Sequence, residues 1–289
     1  MNLGQVLNKT TEFFRQKNLD SPRLDAEILL AAGLGLKRMD LYLRFEQPVS
    51  DEELSHCREL VRRRATGEPV SIILGFKDFY GRRFRVNQNV LTPRPETELL
   101  VEQAVLFLRQ REEHGGSEFQ VADLGSGSGC IGLTIAAECP LARVVCVEKS
   151  REAVQVLQEN AQSLGVSDRV QIICADVNEW AKDTTQKYDL VTANPPYIAS
   201  DDPHVDADVK TFEPAMALFA DDQGFACLKS WSTAASKALK DSSMMIMELG
   251  WTQGPEMKKY YDDMYIFSEV KLLKDYSGHD RMIVGTKNK

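Results

Sequence analysis

The sequence predicts an α/β fold in which a small N-terminal helical domain and a β-hairpin precede a mostly parallel, doubly wound sheet. The first seventy or so residues show helical patterns without a strand pattern, and residues 75–92 show a short alternating one. From residue 93 onward, apolar strand candidates alternate with helical stretches, which is typical of a parallel sheet covered by helices on both faces. We therefore assign residues 1–74 to a helical domain, 75–92 to a hairpin linker and 93–289 to the sheet domain.

Two helix starts define the N-terminal domain. Ser21-Pro22 places a proline at the first helical position, ahead of apolar residues at helical spacing. Ser50 and Glu53 form a capping-box pattern, and the helix that follows should end before Pro69.

The hairpin and the sheet strands follow from residue patterns. Gly81 separates two short aromatic and alternating runs, which predicts the hairpin. The strand candidates are residues 121–124, 144–147, 170–174, 190–193, 244–249, 265–273 and 282–285. The last two are joined by a short connection, so one of them is expected to run against the others.

The net charge argues against a protein whose main role is to bind nucleic acid. The chain carries −8 at neutral pH, whereas phosphate binding normally calls for a basic face. The basic residues that might form a local patch are Arg62, Arg63, Arg64, Lys77, Arg82, Arg83 and Arg85. We interpret them as a solvated face and a helix end.

Cysteines and histidines give no sign of a metal site or a disulfide framework. The six cysteines contain no C-x-x-C pair, and the four histidines lack ligand spacing. No apolar run approaches membrane-spanning length, and the N-terminus does not resemble a signal peptide. We expect a cytoplasmic protein with no membrane contact.

Three strand candidates end in residues suited to one ligand with a nucleoside part. The first leads into D-L-G-S-G-S-G at 123–129, where alternate glycines let a ligand approach the backbone closely. The second ends at Glu148, whose carboxylate can accept hydrogen bonds from both hydroxyls of a ribose. The third ends at Asp176, placed to meet an adenine amino group. Since such strand ends share one edge of the sheet, we expect one site there.

The glycine loop fits two kinds of cofactor. Gly127, Gly129 and Gly132 satisfy G-x-G-x-x-G, the dinucleotide pattern, which is weak when it stands alone. Asp123 precedes the loop, where a carboxylate would repel a pyrophosphate but attract the α-ammonium of S-adenosylmethionine. The sequence therefore favours S-adenosylmethionine over a nicotinamide dinucleotide.

The fourth strand ends in Asn194-Pro195-Pro196-Tyr197, a stiff turn. Two successive prolines fix two φ angles and remove two N–H donors, so the turn presents an amide side chain, a bare carbonyl and an aromatic ring. Such a turn can bind a flat group that carries an NH2. Amides and the exocyclic amines of bases are both of this kind.

Many short motifs across nearly the whole chain resemble those of the HemK/PrmC family. They are E-P-V at 68–70, L-G at 74–75, F-Y-G at 79–81, T-P-R-P-E-T-E at 92–98, D-L-G-S-G-S-G at 123–129, N-P-P-Y-I at 194–198, F-E-P at 212–214, E-L-G at 248–250, K-D-Y at 274–276 and D-R at 280–281.

The resemblance implies a class I S-adenosylmethionine-dependent methyltransferase, Rossmann-like and seven-stranded, that acts on the glutamine amide nitrogen (N5) of the Gly-Gly-Gln motif in class 1 peptide chain release factors. It implies substrate-binding roles for Asn194, Pro195, Pro196 and Tyr197, and catalytic roles for all of these except Pro196. It implies a cofactor site made of Thr97, Glu98, Asp123, Gly125, Ser126, Gly127, Ser128, Gly129, Glu148, Asp176, Val177 and Asn194. The product is S-adenosylhomocysteine. The helical domain is expected to dock the protein substrate, and the enzyme is expected to be a monomer without specific nucleic-acid binding.

The chain departs from the family pattern at three positions. Glu148 replaces the usual Asp, Lys149 replaces a small or apolar residue, and Ser126 replaces the common Thr. Glu keeps the charge on a longer arm, so we expect ribose binding to survive.

Three other functions remain open from the sequence. One is methylation of adenine or guanine amino groups in nucleic acid, which would need base flipping and a large basic surface. Another is methylation of a glutamine in a ribosomal protein, since the same tetrapeptide serves that reaction. The third is a non-enzymatic sensor of S-adenosylmethionine.

Overall fold

The structure, a computed structural model, describes residues 1–203 and 207–288, so His204 lies outside it. Its helices are α1 (Leu3–Gln16), α2 (Pro22–Gly33), α3 (Asp40–Leu43), α4 (Asp51–Ala65), α5 (Val70–Leu74), α6 (Glu98–Glu113), α7 (Cys130–Glu138), α8 (Arg151–Ser163), α9 (Val177–Asp183), α10 (Ala207–Phe212), α11 (Ala215–Leu218), α12 (Phe225–Ser236) and α13 (Gly254–Asp263). Its strands are β1 (Phe76–Phe79), β2 (Arg82–Arg85), β3 (Phe119–Leu124), β4 (Ala142–Glu148), β5 (Val170–Cys174), β6 (Tyr188–Ala193), β7 (Leu239–Glu248), β8 (Glu269–Lys274) and β9 (Asp280–Lys287).

By their internal contacts the residues form two compact units. The helical unit comprises the chain up to Phe76 together with α10. Its core contains buried side chains from α1, α2 and α4, namely Leu7, Phe14, Leu29, Leu30 and Cys57. Arg64 donates to Asp25 at 2.7 Å and lies 3.7 Å from Asp208, and this second ion pair links α10 to the unit. The division at residues 74 and 92 made from the sequence stays a prediction.

The helix starts predicted from the sequence are confirmed. Pro22 is the first residue of α2. At the start of α4, the Ser50 hydroxyl accepts from the Glu53 N–H at 3.3 Å, and the Glu53 carboxylate accepts from the Ser50 N–H at 2.8 Å. The two bonds satisfy the backbone N–H groups of Ser50 and Glu53, which have no partner within the helix.

The second unit contains the seven-stranded sheet, in the order β5-β4-β3-β6-β7-β9-β8. Neighbouring strands from β5 to β7 are parallel, whereas β9 runs antiparallel to both β7 and β8. The predicted mostly parallel sheet, the antiparallel strand near its end and the β1–β2 hairpin are therefore confirmed.

The sheet is the middle of three layers, because successive residues of its strands point to opposite faces. On β7, Met244 and Ile246 join a core with α6, α7 and α8, while Met245 and Met247 join a second core with α9, α12 and α13. Strands buried on both faces explain the nearly unbroken apolar runs in the sequence.

One irregularity interrupts the pairing of β6 with β7. Tyr188 pairs with Leu239 and Leu190 pairs with Met244, so two residue steps on β6 correspond to five on β7. Ser242, inside the extra length, has a φ of 56°. Beyond this point the register is regular up to Ala193 opposite Met247.

The strand predicted at residues 265–273 begins later, at Glu269. Tyr265 has a φ of 54° and lies just after the end of α13. The Tyr265 N–H donates to the Asp262 carbonyl at 3.3 Å, so this residue still belongs to the turn that follows α13, and the apolar pattern overstated the strand.

None of the described helices combines the length and the apolar character that spanning a bilayer requires.

Helix α6 offers a matched pair of substitutions that tests where the core lies. Leu100 is fully buried, whereas Leu106 is 49% exposed on the same helix. We expect Leu100→Ala to lower the free energy of unfolding by about 2–5 kcal/mol and Leu106→Ala by less than about 1 kcal/mol. Urea denaturation of both variants measures this, and equal losses would contradict the assigned packing.

Candidate active site

The glycine-rich loop between β3 and α7 combines open space with close packing. Gly127 has a φ of 55°, and a Cβ added to it would meet no atom within 4 Å, so its backbone faces open space. A Cβ on Gly129 would lie 2.1 Å from Cδ1 of Leu157. Larger residues are therefore disfavoured at both positions, by conformation at the first and by packing at the second.

A cavity of about 310 Å³ lies beside this loop, at the carboxyl ends of the parallel strands. It brings together the predicted site residues Gly125, Gly127, Glu148, Asp176, Val177, Asn194 and Pro196. These residues come from four different strand ends, and their joint role as one binding site stays a prediction.

Glu148 is held firmly at the cavity wall. One carboxylate oxygen accepts from the Gly127 N–H at 2.8 Å, and the other accepts from the Ser150 N–H at 2.8 Å. The longer arm of Glu thus reaches back to the glycine loop. Each oxygen keeps a lone pair with which it can accept from a ligand hydroxyl.

Asp176 follows β5, on the side of Glu148 that faces away from the glycine loop, and it caps the start of α9. Its side chain accepts from the Asn178 N–H at 2.9 Å and lies 3.2 Å from the Lys149 ammonium. Burial opposes ionisation, but these two donors hold the pKa of Asp176 below its ordinary value. Lys149, noted as a departure from the family pattern, therefore pairs with the predicted adenine-binding carboxylate.

Asp123 lies behind the glycine loop and is fully buried. It accepts from the Gly132 N–H at 3.1 Å and from the Thr192 hydroxyl at 2.9 Å. Burial raises its pKa to about 6, against the opposing effect of these hydrogen bonds. The carboxylate ties β3 to α7 and to β6, and its direct contact with the cofactor stays a prediction.

Two serines of the loop are also turned inward. The Ser126 hydroxyl donates to the Asp123 carbonyl at 2.8 Å. The Ser128 hydroxyl is buried and has no hydrogen-bond partner in the part of the chain that the structure describes. A buried hydroxyl without a partner is uncommon, so this oxygen is a candidate for a ligand or water contact.

The Asn194–Tyr197 turn is anchored from behind. The Tyr197 hydroxyl donates to Glu248 at 3.0 Å, and its carbonyl accepts from Gln253 at 2.9 Å. Burial and the charge of Glu248 raise the pKa of Tyr197, so the phenol remains a donor. Asn194 and Pro196 line the cavity, while Pro195 is buried within the turn.

Thr97 and Glu98 occupy the start of α6. The Thr97 hydroxyl donates to Glu248 at 2.7 Å and accepts from the Asn194 amide nitrogen at 3.3 Å. Glu98 accepts from the Tyr80 N–H at 2.7 Å, which ties the helix to the hairpin. The predicted contact of these two residues with the cofactor stays a prediction.

The sequence interpretation missed two residues of the site. Glu248 appears in the sequence analysis only within the E-L-G motif, without a role, yet it binds both Thr97 and Tyr197. Its position at the carboxyl end of β7 is a signal that could have found it, because other site residues were predicted from the same position on their strands. Trp231 lines the cavity from α12, and a Cβ on Gly125 would lie 2.5 Å from its ring. No local pattern singles out this tryptophan.

Among the described residues, no group of histidine, cysteine and acidic side chains is arranged to hold a metal ion.

Comparison with known proteins gives matches along the whole chain. The family model of the PrmC N-terminal domain matches residues 5–75, and that of the Methyltransferase small domain matches residues 98–242. The chain is 36% identical over 280 residues to a release factor glutamine methyltransferase of Rhodopirellula baltica, covering 96% of this chain and 94% of the other. A protein of the same name from Chlorobaculum tepidum gives the same identity and coverage. That of Geobacter sulfurreducens is 36% identical over 284 residues, covering 98% and 96%.

The burial of Asp123 makes stability depend on pH in a defined direction. Its folded pKa of about 6 lies above the ordinary value of 3.8, so its contribution to stability is fully present below the ordinary value and is lost as the pH rises through 6. We expect the free energy of unfolding of the wild type, relative to Asp123→Asn, to fall by up to about 3 kcal/mol between about pH 4 and pH 7. Urea denaturation across this range measures it, with the exposed Asp168→Asn as the baseline. A difference that grows with pH would contradict the assignment.

Proposed function

The chain belongs to the release factor glutamine methyltransferase family, and we propose that it methylates the side-chain amide nitrogen, N5, of the glutamine in the Gly-Gly-Gln motif of a class 1 peptide chain release factor. One observation carries the proposal. The Asn194 turn, suited to an amide NH2, opens on the same cavity as Glu148 and Asp176, which suit the methyl donor.

The residues of the cavity fit S-adenosylmethionine. A volume of about 310 Å³ is within the range of small-molecule sites. Glu148 would hold the ribose hydroxyls, Asp176 the adenine amino group, and the open face of Gly127 leaves room against the backbone. When bound, S-adenosylmethionine supplies an electrophilic methyl group and leaves as S-adenosylhomocysteine.

The Asn194–Tyr197 turn performs the positioning that this reaction needs. An amide nitrogen is a poor nucleophile because its lone pair is delocalised into the carbonyl. The Asn194 side-chain oxygen and the Pro195 carbonyl each accept one N–H of the substrate glutamine, and Tyr197 packs against the flat amide. These acceptors direct the nitrogen and stabilise the positive charge that develops on it. The proton then leaves to water, so no dedicated base is required.

Charge pairing favours a protein substrate over a nucleic acid. The arginines that might have formed a basic patch are instead paired with carboxylates. The pairs are Arg62–Glu59, Arg63–Glu68, Arg64–Asp25, Arg82–Glu138, Arg83–Asp78 and Arg85–Glu159. Arginines neutralised in this way attract phosphates weakly.

The helical unit is proposed to dock the release factor. It exposes large apolar side chains, with Met39 at 66% and Leu43 at 81%, close in sequence to the half-exposed Tyr42. Apolar and aromatic groups of this kind are typical of protein interfaces. A monomeric state and a cytoplasmic location remain predictions.

A side-by-side assay tests the substrate. Purified enzyme and S-adenosylmethionine are offered a release factor, ribosomal protein, DNA and RNA, and the products are analysed by mass spectrometry. One added methyl on the glutamine of the release factor is the expected result. Transfer to nucleic acid or ribosomal protein in preference to the release factor would overturn the proposal, and so would binding of S-adenosylmethionine without transfer to any substrate.

Asn194→Ala tests the amide-binding role. Since it removes one acceptor that acts on the reacting group, we expect methylation of the release factor to fall at least about 100-fold, a much larger factor than the loss of affinity for S-adenosylmethionine. Single-turnover kinetics and titration calorimetry measure the two effects. Asn288→Ala, at an exposed asparagine beyond β9, is the matched control. Methylation at the wild-type rate by Asn194→Ala would refute the role.

Glu148→Gln tests the ribose-binding role. The substitution preserves the shape of the side chain but removes its charge, so we expect the dissociation constant for S-adenosylmethionine to rise at least about tenfold. Titration calorimetry measures it, with Glu159→Gln on the surface of α8 as control. An unchanged constant would place the ribose elsewhere.

A further inference from the structure

Glu248 connects the two ends of the substrate-binding turn. It lies at the carboxyl end of β7 and is 2% exposed. One carboxylate oxygen accepts from the Tyr197 hydroxyl at 3.0 Å, and the other accepts from the Thr97 hydroxyl at 2.7 Å. Thr97 in turn accepts from the Asn194 amide nitrogen at 3.3 Å. A single buried carboxylate is therefore bonded to one end of the turn directly and to the other through one hydroxyl.

The direction of these bonds follows from which groups carry protons. A carboxylate can only accept, so the one hydroxyl proton of Thr97 points to Glu248. The Thr97 oxygen then has only lone pairs left for Asn194. The Asn194 amide must therefore turn its NH2 group toward the Thr97 oxygen, because two oxygen atoms that offer only lone pairs cannot form a hydrogen bond.

This order of donors fixes which atom of Asn194 is available to a substrate. With the nitrogen bound to Thr97, the amide oxygen Oδ1 is left as the acceptor, and it has no hydrogen-bond partner among the described residues. If the amide were turned over, its NH2 would face the NH2 of the glutamine. Two donors cannot bond to each other, so the turned-over form would not bind the substrate amide productively.

We propose that Glu248 is a positioning residue which, through Thr97, holds the Asn194 amide with its oxygen toward the substrate glutamine. The inference rests on the proposed function, because it assigns a cause to the orientation that this function needs. Burial raises the pKa of Glu248. The hydrogen bonds from Thr97 and Tyr197 and the charge of Arg281 act in the opposite direction, because each of them favours the ionised carboxylate.

Three variants separate positioning from a merely structural role. Glu248→Gln keeps the shape but adds an NH2 that can donate to Thr97, which frees the Thr97 proton for the Asn194 oxygen and permits the turned-over amide. Thr97→Val keeps the shape and removes the hydroxyl. Thr97→Ser keeps the hydroxyl and should recover most of what Thr97→Val loses. The exposed Glu269→Gln on β8 is the matched control.

The experiment measures methylation of a purified release factor and binding of S-adenosylmethionine by the full-length variants. We expect kcat to fall at least tenfold in both Glu248→Gln and Thr97→Val. In Glu248→Gln, at a residue outside the predicted cofactor site, we expect the dissociation constant for S-adenosylmethionine to stay within threefold of wild type. Because Glu248 acts through Asn194, the double variant Asn194→Ala/Glu248→Gln should be no slower than Asn194→Ala alone.

Several results would overturn the inference while the wild type methylates the release factor normally. They are wild-type kcat in Glu248→Gln, equal defects in Thr97→Ser and Thr97→Val, and loss of S-adenosylmethionine binding in parallel with kcat in Glu248→Gln. If Glu248→Gln fails to fold, the two Thr97 variants decide the matter. A wild-type enzyme that transfers no methyl group to the release factor would instead refute the proposed function itself, and the inference with it.

Discussion

The parallel register of three central strands brings three functional segments of the site to one edge of the sheet. Leu124, Ala193 and Met247 lie side by side on β3, β6 and β7. The residues that follow them therefore emerge at one edge of the sheet, although they are far apart in sequence. The glycine loop, the Asn-Pro-Pro-Tyr turn and Glu248 all depend on this alignment. A slip of one residue would turn their side chains to the opposite face.

Buried carboxylates at this edge show how the fold accommodates costly groups. Asp123 and Glu248 are both almost inaccessible to water, and burial raises the pKa of each. Isolated charges in such places would be strongly unfavourable, but hydrogen bonds from neighbouring elements compensate much of the cost. The donors come from different strands and helices, so the same bonds that stabilise the charges also fix the positions of those elements. The hydrogen bonds that offset the cost of burying these carboxylates therefore also make the site rigid.

The sequence predicted the features that depend on neighbouring residues and missed those that depend on the fold. The capping box at Ser50 and the strand ends at Glu148 and Asn194 could be found because their signals are local. The hydrogen bond between Thr97 and Asn194 joins residues 97 positions apart, and no local sequence pattern predicts it. Membership of α10 in the helical unit likewise brings together distant segments, among them Arg64 and Asp208, which form an ion pair. Such pairings become visible only when strand order and helix packing are known.

The irregular pairing between Tyr188 and Leu190 has a consequence for how this chain can change in evolution. The additional residues of β7, including Ser242, lie at the amino end of the strand, away from the site. Residues can be gained or lost there without moving Ala193 relative to Met247. The sheet thus has a place where the pairing accommodates additional residues and another where the register is regular. Insertions between related sequences should accumulate before Met244 and be absent between Met244 and Glu248.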